Sequence, residues 1–176
     1  MTNTERLALV GAAGLGLLAA RRWRQRTSFG FRHRAVVITG GSRGLGLEMA
    51  RLLAREGASL ALLARDDLEL ERAREILAGL GGEVLTVTCD VGNADAVERA
   101  LETVVDRYGR LDVLINNAGR IQVGPADHMR LEDYEAAMAV HFRGPLHAML
   151  AAIPHMRRQH GGRIVNIASI GGKVPV

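Results

Sequence analysis

Ala35-Val36-Val37-Ile38-Thr39-Gly40-Gly41-Ser42-Arg43-Gly44-Leu45-Gly46 is the stretch that decides the fold. Its first five residues have no polar–apolar alternation, as expected of a strand covered on both faces. A glycine-rich turn follows. The next residues, 44–56, read as a helix, with Leu45, Met49, Leu52 and Leu53 on one face. A turn of this kind lets backbone amides at a helix N-terminus meet a diphosphate, and glycine keeps a Cβ from holding the phosphate away. The spacing is Gly-x-x-x-Gly-x-Gly, not the commoner Gly-x-Gly-x-x-Gly. Alone, it also suits a plain glycine turn between a strand and a helix.

The alternation continues outward from this stretch. Residues 59–63, 83–88, 111–115 and 163–168 read as further aliphatic strands. Residues 66–78 and 93–108 read as helices; acids open the first, and Asn93 is a plausible N-cap for the second. A long helical pattern runs from 131 to 158, where Pro145 and Pro154 should kink or divide it. Strands alternating with helices imply right-handed crossovers and a parallel sheet. The expected architecture is α/β, doubly wound, with strand order 3-2-1-4-5 for the strands present.

Composition supports one domain with an aliphatic core: 48% of the 176 residues are hydrophobic and only 3% are aromatic. The net charge of +4 is unevenly placed. Residues 1–34 hold seven arginines and one acid, for a net of +6, and the remainder carries −2. The body therefore gives no reason to expect nucleic acid as a partner. A single cysteine, Cys89, excludes an internal disulfide and fits a reducing compartment. No histidine stands at metal-ligand spacing from Cys89 or from carboxylates, so no metal site is expected.

The basic excess belongs to a tail, residues 1–30, distinct from the domain at 31–176. Residues 7–20 are an unbroken run of 14 without a polar side chain, followed by Arg21, Arg22, Trp23, Arg24 and Arg26. As a helix this run spans roughly 21 Å, short of the roughly 30 Å hydrocarbon core of a membrane. Positive charge after an apolar run favours keeping the following domain on the cytoplasmic side. Two readings stand level: a membrane anchor or interfacial helix with Trp23 and the arginines at the headgroups, or a helix docked on protein. The expected location is cytoplasmic, with attachment to that face of a membrane under the first reading.

Three further segments join the glycine loop. Cys89-Asp90-Val91 ends the third strand, Asn116-Asn117-Ala118-Gly119 follows the fourth, and Asn166-Ile167-Ala168-Ser169 ends the fifth. With Thr39–Gly46 these resemble, in the right order, the motifs of the short-chain dehydrogenase/reductase family over residues 35–176. The resemblance implies a Rossmann-type domain and a nicotinamide cofactor. By the same resemblance, Thr39, Gly40, Ser42, Arg43, Gly44, Leu45 and Gly46 form its diphosphate loop. Asp90 and Val91 touch the adenine, and Asn117, Ala118 and Gly119 complete the site. Ser169 takes the place of the serine that hydrogen-bonds the substrate oxygen.

In that family the end of the second strand separates NAD from NADP. An acid there binds the ribose hydroxyls and repels a 2′-phosphate. Here the segment reads Leu63-Ala64-Arg65-Asp66, with Ala64 at the acid's position. Arg65 and Arg43 could clamp a phosphate between two guanidinium groups. The expected cofactor is NADP(H), with Asp66 or Asp67 reaching the ribose as the alternative.

The family's proton donor is a tyrosine in Tyr-x-x-x-Lys. Tyr108 is followed four residues on by Asp112, Tyr134 by Met138, and the sole lysine, Lys173, is preceded by Ser169. None fits, and the resemblance implies that the pair lies beyond Val176. A truncated sequence, inactive as it stands, is the expectation. A second departure is His141, in Val140-His141-Phe142-Arg143-Gly144, where the family commonly has asparagine in a proton relay. Histidine can hydrogen-bond a water or a lysine, or titrate itself; a weakened but retained relay is expected. The complete protein is read as an NADP(H)-dependent oxidoreductase interconverting a carbonyl and a secondary alcohol, forming a homo-oligomer through its long helices. A non-catalytic NADP(H)-binding or scaffolding protein is the rival reading.

Overall fold

The computed structural model describes residues 29–122 and 124–169. The apolar run at 7–20 and the arginines after it lie outside the described residues, and so does Lys173. Contacts divide the chain into Met1–Gly30 and Phe31–Val176. Among the described residues, no helix is long and apolar enough to cross a membrane.

The second unit holds a five-stranded parallel sheet of order β3-β2-β1-β4-β5, the doubly wound arrangement expected from the sequence. Its strands are β1 (Ala35–Thr39), β2 (Ser59–Ala64), β3 (Val84–Thr88), β4 (Val113–Asn116) and β5 (Arg163–Asn166). Every pairing is parallel, and Val37 stands in register between Ala61 and Leu114. The crossovers are α1 (Gly44–Arg55), α2 (Asp67–Leu77) and α3 (Ala94–Tyr108); α4 (Leu131–Met138) and α5 (Gly144–Arg158) then lead to β5.

The unbroken aliphatic character of β1, β2 and β4 is explained by burial: Val36, Val37, Ile38, Leu60, Leu62 and Leu114 have no exposed surface. On one face, Val97, Leu101 and Val104 of α3 and Ala148, Ala152 and Met156 of α5 pack with Val37, Leu63 and Leu114. Each such leucine or valine stabilises the fold by about 1.5–3 kcal/mol. The edge strands differ: β3 is half-buried and β5 largely exposed. An edge strand has a neighbour on one side only, so apolar sequence alone does not guarantee burial.

The helix after the glycine turn begins where expected but buries a different face. Gly46, Leu47, Ala50, Leu53 and Ala54 are buried, whereas Leu45 and Leu52 are 58% and 60% exposed. The inward stripe sets Leu47 and Leu53 among the small residues Gly46, Ala50 and Ala54, so of the four residues expected on the buried face only Leu53 is buried. Helical spacing alone favoured the larger side chains, and three of the five inward positions are held by glycine or alanine.

The helical stretch 131–158 is divided, as Pro145 demands, by a widened turn at Ala139–Arg143. There the Gly144 amide bonds to the Ala139 carbonyl, five residues back. Pro145 has no N–H to offer His141, and its ring crowds that carbonyl; widening the turn accommodates both. Pro154, by contrast, lies inside α5 without ending it. The carbonyl it leaves unpaired belongs to Leu150, which is 61% exposed, so water can meet it.

At the N-terminal end of the sheet, Asp112 is 3% exposed and ties β1 to β4. Its carboxylate accepts from Arg34 Nη1 at 2.8 Å, from the Ala35 amide at 3.0 Å, and from Arg110 Nε and Nη2 at 2.5 and 2.6 Å. Tyr108 closes the same end, its hydroxyl donating to the Leu60 carbonyl at 2.7 Å. Burial, with Glu83 nearby, pushes this phenol up to about 12. Its role is structural, consistent with the lack of a lysine four residues on.

Candidate active site at the C-terminal edge of the sheet

Ligands of doubly wound sheets bind beyond the carboxyl ends of the strands, where the winding reverses. Here β1 is flanked by β2 and β4, and the chain winds outward from it in both directions. A cleft of about 530 Å³ opens at that point. Gly40, Ser42, Arg43, Gly44, Leu45, Arg65, Asp90, Val91, Asn117, Ala118 and Gly119 all line it. Residues separated by as many as 79 positions are thereby brought together as the sequence suggests.

Thr39 and Gly46 belong to the same neighbourhood but do not line the cleft. Thr39 is 2% exposed. Its hydroxyl oxygen accepts from the Asn117 and Ala118 amides at 3.0 and 3.1 Å, binding the loop after β4 to the end of β1. Asn117 returns the link: Nδ2 donates to the Thr39 and Gly40 carbonyls, both at 3.1 Å. The two loops therefore act as one piece of backbone.

The loop glycines divide into two kinds. A Cβ on Gly40 would meet Ala118 Cα at 2.8 Å, and one on Gly46 would lie 2.2 Å from the Gly40 carbonyl oxygen. These glycines allow the loops to pack. Gly44 has φ +55° and nothing within 4 Å of a built Cβ. It alone of these three matches the expectation of open space kept for a phosphate.

The N-terminus of α1 opens into the cleft. Its N-cap is Arg43, with no side-chain capping bond and no acid in the first turn. The next two helices are closed. Asp66 accepts the Glu69 amide at 2.9 Å, and Asn93 accepts the Ala96 amide at 3.0 Å. The cleft thus faces the positive end of a helix with its amides uncapped, the ordinary arrangement for binding an anionic group.

Of the two acids that competed for the ribose, Asp66 lines the cleft while capping α2, and Asp67 accepts the Thr88 hydroxyl. Arg65 lines the cleft and makes no ion pair among the described residues. Asp90 also lines it, accepting the Gly92 amide at 2.9 Å in a turn that holds the carboxylate. The sequence reading missed Glu69, which lines the cleft and bonds to Ser42 and Arg43. Its signal was an acid three positions beyond the Asp66 cap, hidden by the usual preference for acids in a first helical turn. Cys89 is buried, and burial, with Asp90 beside it, pushes its thiol up to about 11. It is a small core residue, not a nucleophile.

The two expected catalytic residues stand outside the cleft lining. His141 lies in the widened turn, with Nε2 2.7 Å from the Arg120 carbonyl oxygen and 3.3 Å from its amide nitrogen. It braces the loop that carries Gly119. Ser169 lies three residues past β5 and is exposed. It is reached through β4 and β5, whose Asn116 and Asn166 side chains bond at 2.8 Å.

A cleft on the crossover point, a glycine loop fused to an Asn-Asn-Ala-Gly loop and an open helix N-terminus define a Rossmann-type domain whose cleft suits an anionic ligand. Residues 34–176 match the family model of short chain dehydrogenases, and the chain belongs to that family. An uncharacterised oxidoreductase of Mycobacterium bovis is 39% identical over 143 residues, covering 80% of this chain and 57% of its own. One from Staphylococcus saprophyticus is 37% identical over 142 residues, covering 80% and 56%. Among solved structures, a metagenomic short-chain oxidoreductase in complex with NADP is similar at TM-score 0.78 and 36% identity, covering 84% of this chain and 67% of that one. An NAD+-bound xylitol dehydrogenase is similar at TM-score 0.80 and 32% identity, covering 84% and 57%. The chain spans little more than half the length of the curated relatives it matches.

Proposed function

We propose that this chain is the coenzyme-binding portion of an NADP(H)-dependent oxidoreductase that interconverts a carbonyl and a secondary alcohol. The observation that carries this reading is the uncapped N-terminus of α1 opening into a cleft beside Arg43 and Arg65. The Gly44, Leu45 and Gly46 amides would hold the diphosphate, with no Cβ at Gly44 to intrude. Arg43 and Arg65 would hold the 2′-phosphate through charge-assisted bonds. Asp90 and Val91 would flank the adenine, and Asn117, Ala118 and Gly119 the inner half of the coenzyme. The bound nicotinamide supplies or accepts the hydride. Ser169 would hold the substrate oxygen, and His141 would position the Arg120 loop beside it.

The NADP assignment is tested by calorimetry on the chain. NADPH is expected to bind more tightly than NADH, and Arg65→Ala to weaken NADPH about tenfold, the loss of a charge-assisted bond. NADH should change less than about threefold under the same contact arithmetic. Equal affinities for the two coenzymes would refute the assignment.

The geometry at His141 has its own expected result. The shorter contact, to a carbonyl, is a hydrogen bond when Nε2 carries a proton. Two-bond 1H–15N spectra should show a proton on Nε2, and a bare Nε2 would remove the bond to the carbonyl and leave the ring only the Arg120 amide.

The homo-oligomer reading is supported by Phe142, Leu146 and Leu150, which leave an apolar face at least one-third exposed. Attachment to the cytoplasmic face of a membrane rests on the sequence of residues 7–26 alone.

A further inference from the structure

We infer that Glu69 is a specificity-determining residue of the adenosine-phosphate pocket, an internal carboxylate that competes with the coenzyme 2′-phosphate for Arg43 and Ser42. The inference rests on the NADP(H) reading of the cleft and deepens it.

Glu69 sits in the first turn of α2, its backbone amide fixed by Asp66 at 2.9 Å. From there its carboxylate divides between two groups of the glycine loop. Oε2 accepts from Ser42 Oγ at 3.0 Å, and Oε1 accepts from Arg43 Nη1 at 3.2 Å. The Ser42 residue is 7% exposed, and the Glu69 side chain 30%. The Arg43 side chain, at 81% exposed, is free to swing away. A hydroxyl and a guanidinium converging on one oxyanion are the donors a phosphate oxygen would use. The carboxylate already occupies that position.

Glu69 also lines the cleft with Arg65, which has no ion-pair partner among the described residues. Arg120, Asp66 and Asp90 line the cleft as well, but Glu69 is the acid whose carboxylate bonds to the donors of the glycine loop. A 2′-phosphate is drawn by Arg65, but to reach Arg43 and Ser42 it must displace Glu69 or lie beside its charge. Like charges at that range repel, and the partly buried setting screens them less than open water does. A ribose 2′-hydroxyl meets no such conflict, because it can donate to the carboxylate. Glu69 thus narrows the preference for NADP(H) over NAD(H).

The test is titration of wild-type chain, Glu69→Gln and Glu69→Ala with NADPH, NADH, 2′,5′-ADP and 5′-ADP by calorimetry. Thermal melts of each variant verify folding. Both variants should bind NADPH and 2′,5′-ADP about tenfold more tightly, about 1.4 kcal/mol. NADH and 5′-ADP should be unchanged or weaker, and the gain on 2′,5′-ADP should shrink as salt rises. An unchanged NADPH-to-NADH ratio in two folded variants overturns the role of Glu69 and leaves the coenzyme reading intact. Weaker NADPH binding also overturns it, making Glu69 a support for Arg43. No binding of either coenzyme by any of the three proteins overturns both.

Discussion

Gly46→Ala is expected to unfold the glycine loop, whereas Gly44→Ala leaves the fold standing and removes coenzyme binding. The added Cβ at Gly46 would sit 2.2 Å from the Gly40 carbonyl oxygen and 2.7 Å from Asn117 Nδ2. Neither can yield cheaply. Asn117 Nδ2 is the group that holds the Thr39 and Gly40 carbonyls, and Gly40 is itself confined at φ +65° against Ala118. Overpacking of this kind costs about 1–3 kcal/mol. For a chain of this length that lowers Tm by roughly 2–4 °C per kcal/mol. At Gly44 the only penalty is the left-handed backbone, about 1–2 kcal/mol, because nothing lies within 4 Å of the new methyl. The methyl would stand in the cleft, at the open end of α1. Melting curves paired with NADPH calorimetry separate the two variants. Undiminished coenzyme affinity in Gly44→Ala would sink the diphosphate assignment of the loop.

The second large effect is expected at the opposite end of the sheet. Asp112→Asn keeps the shape of the side chain but removes the charge that Arg34, Arg110 and the Ala35 amide share. Hydrogen bonds to a buried charged group contribute about 1.5–3 kcal/mol each. Arg34 and Arg110 are 38% and 45% exposed, so solvent offsets much of their share. The net expected cost is about 2 kcal/mol, or roughly 4–8 °C in Tm. Burial pulls the Asp112 carboxyl upward, but the Arg110 and Arg34 hydrogen bonds and the Ala35 amide outweigh it and hold it below the usual carboxylate range. A group depressed in the folded state stabilises above its unfolded value of about 4. That contribution is lost as pH falls through the folded value. Wild type should therefore lose stability steeply below about pH 4, and the part due to Asp112 should vanish in the variant. Parallel acid-unfolding curves for the two proteins would exclude this role.

What sequence could and could not disclose follows from which forces leave a local mark. The sheet order was legible because β1, β2 and β4 are buried on both faces, and burial writes itself as unbroken aliphatic runs. The cleft was legible because glycine at 40, 44 and 46 answers to backbone geometry. The buried face of α1 was legible only at Leu53, because Gly46, Ala50 and Ala54 fill most of it and a small side chain has no periodic signature of its own. Glu69 escaped for a related reason. An acid in a first helical turn is ordinary, and only folding shows that this one turns toward Ser42 and Arg43. Thr39 was placed among cofactor contacts, yet its hydroxyl is spent on the Asn117 and Ala118 amides. Its partners lie 78 and 79 residues away, beyond any pattern visible along the chain.

The widened turn at Ala139–Arg143 sets how the two halves of the long helical stretch are phased. An ordinary turn places successive side chains roughly 100° apart, given about 3.6 residues per turn, and the widened turn absorbs one surplus residue without that advance. The inward row Ala148, Ala152 and Met156 is therefore aligned with the sheet because the surplus is absorbed there. Tightening this turn into ordinary helix with all its residues kept would rotate that row by roughly 100°, toward solvent. Pro145 guards against such slippage, since an ordinary helical turn there would need an amide hydrogen that proline lacks. Insertions and deletions should accordingly be far better tolerated in the loop before α4 than in this short coil.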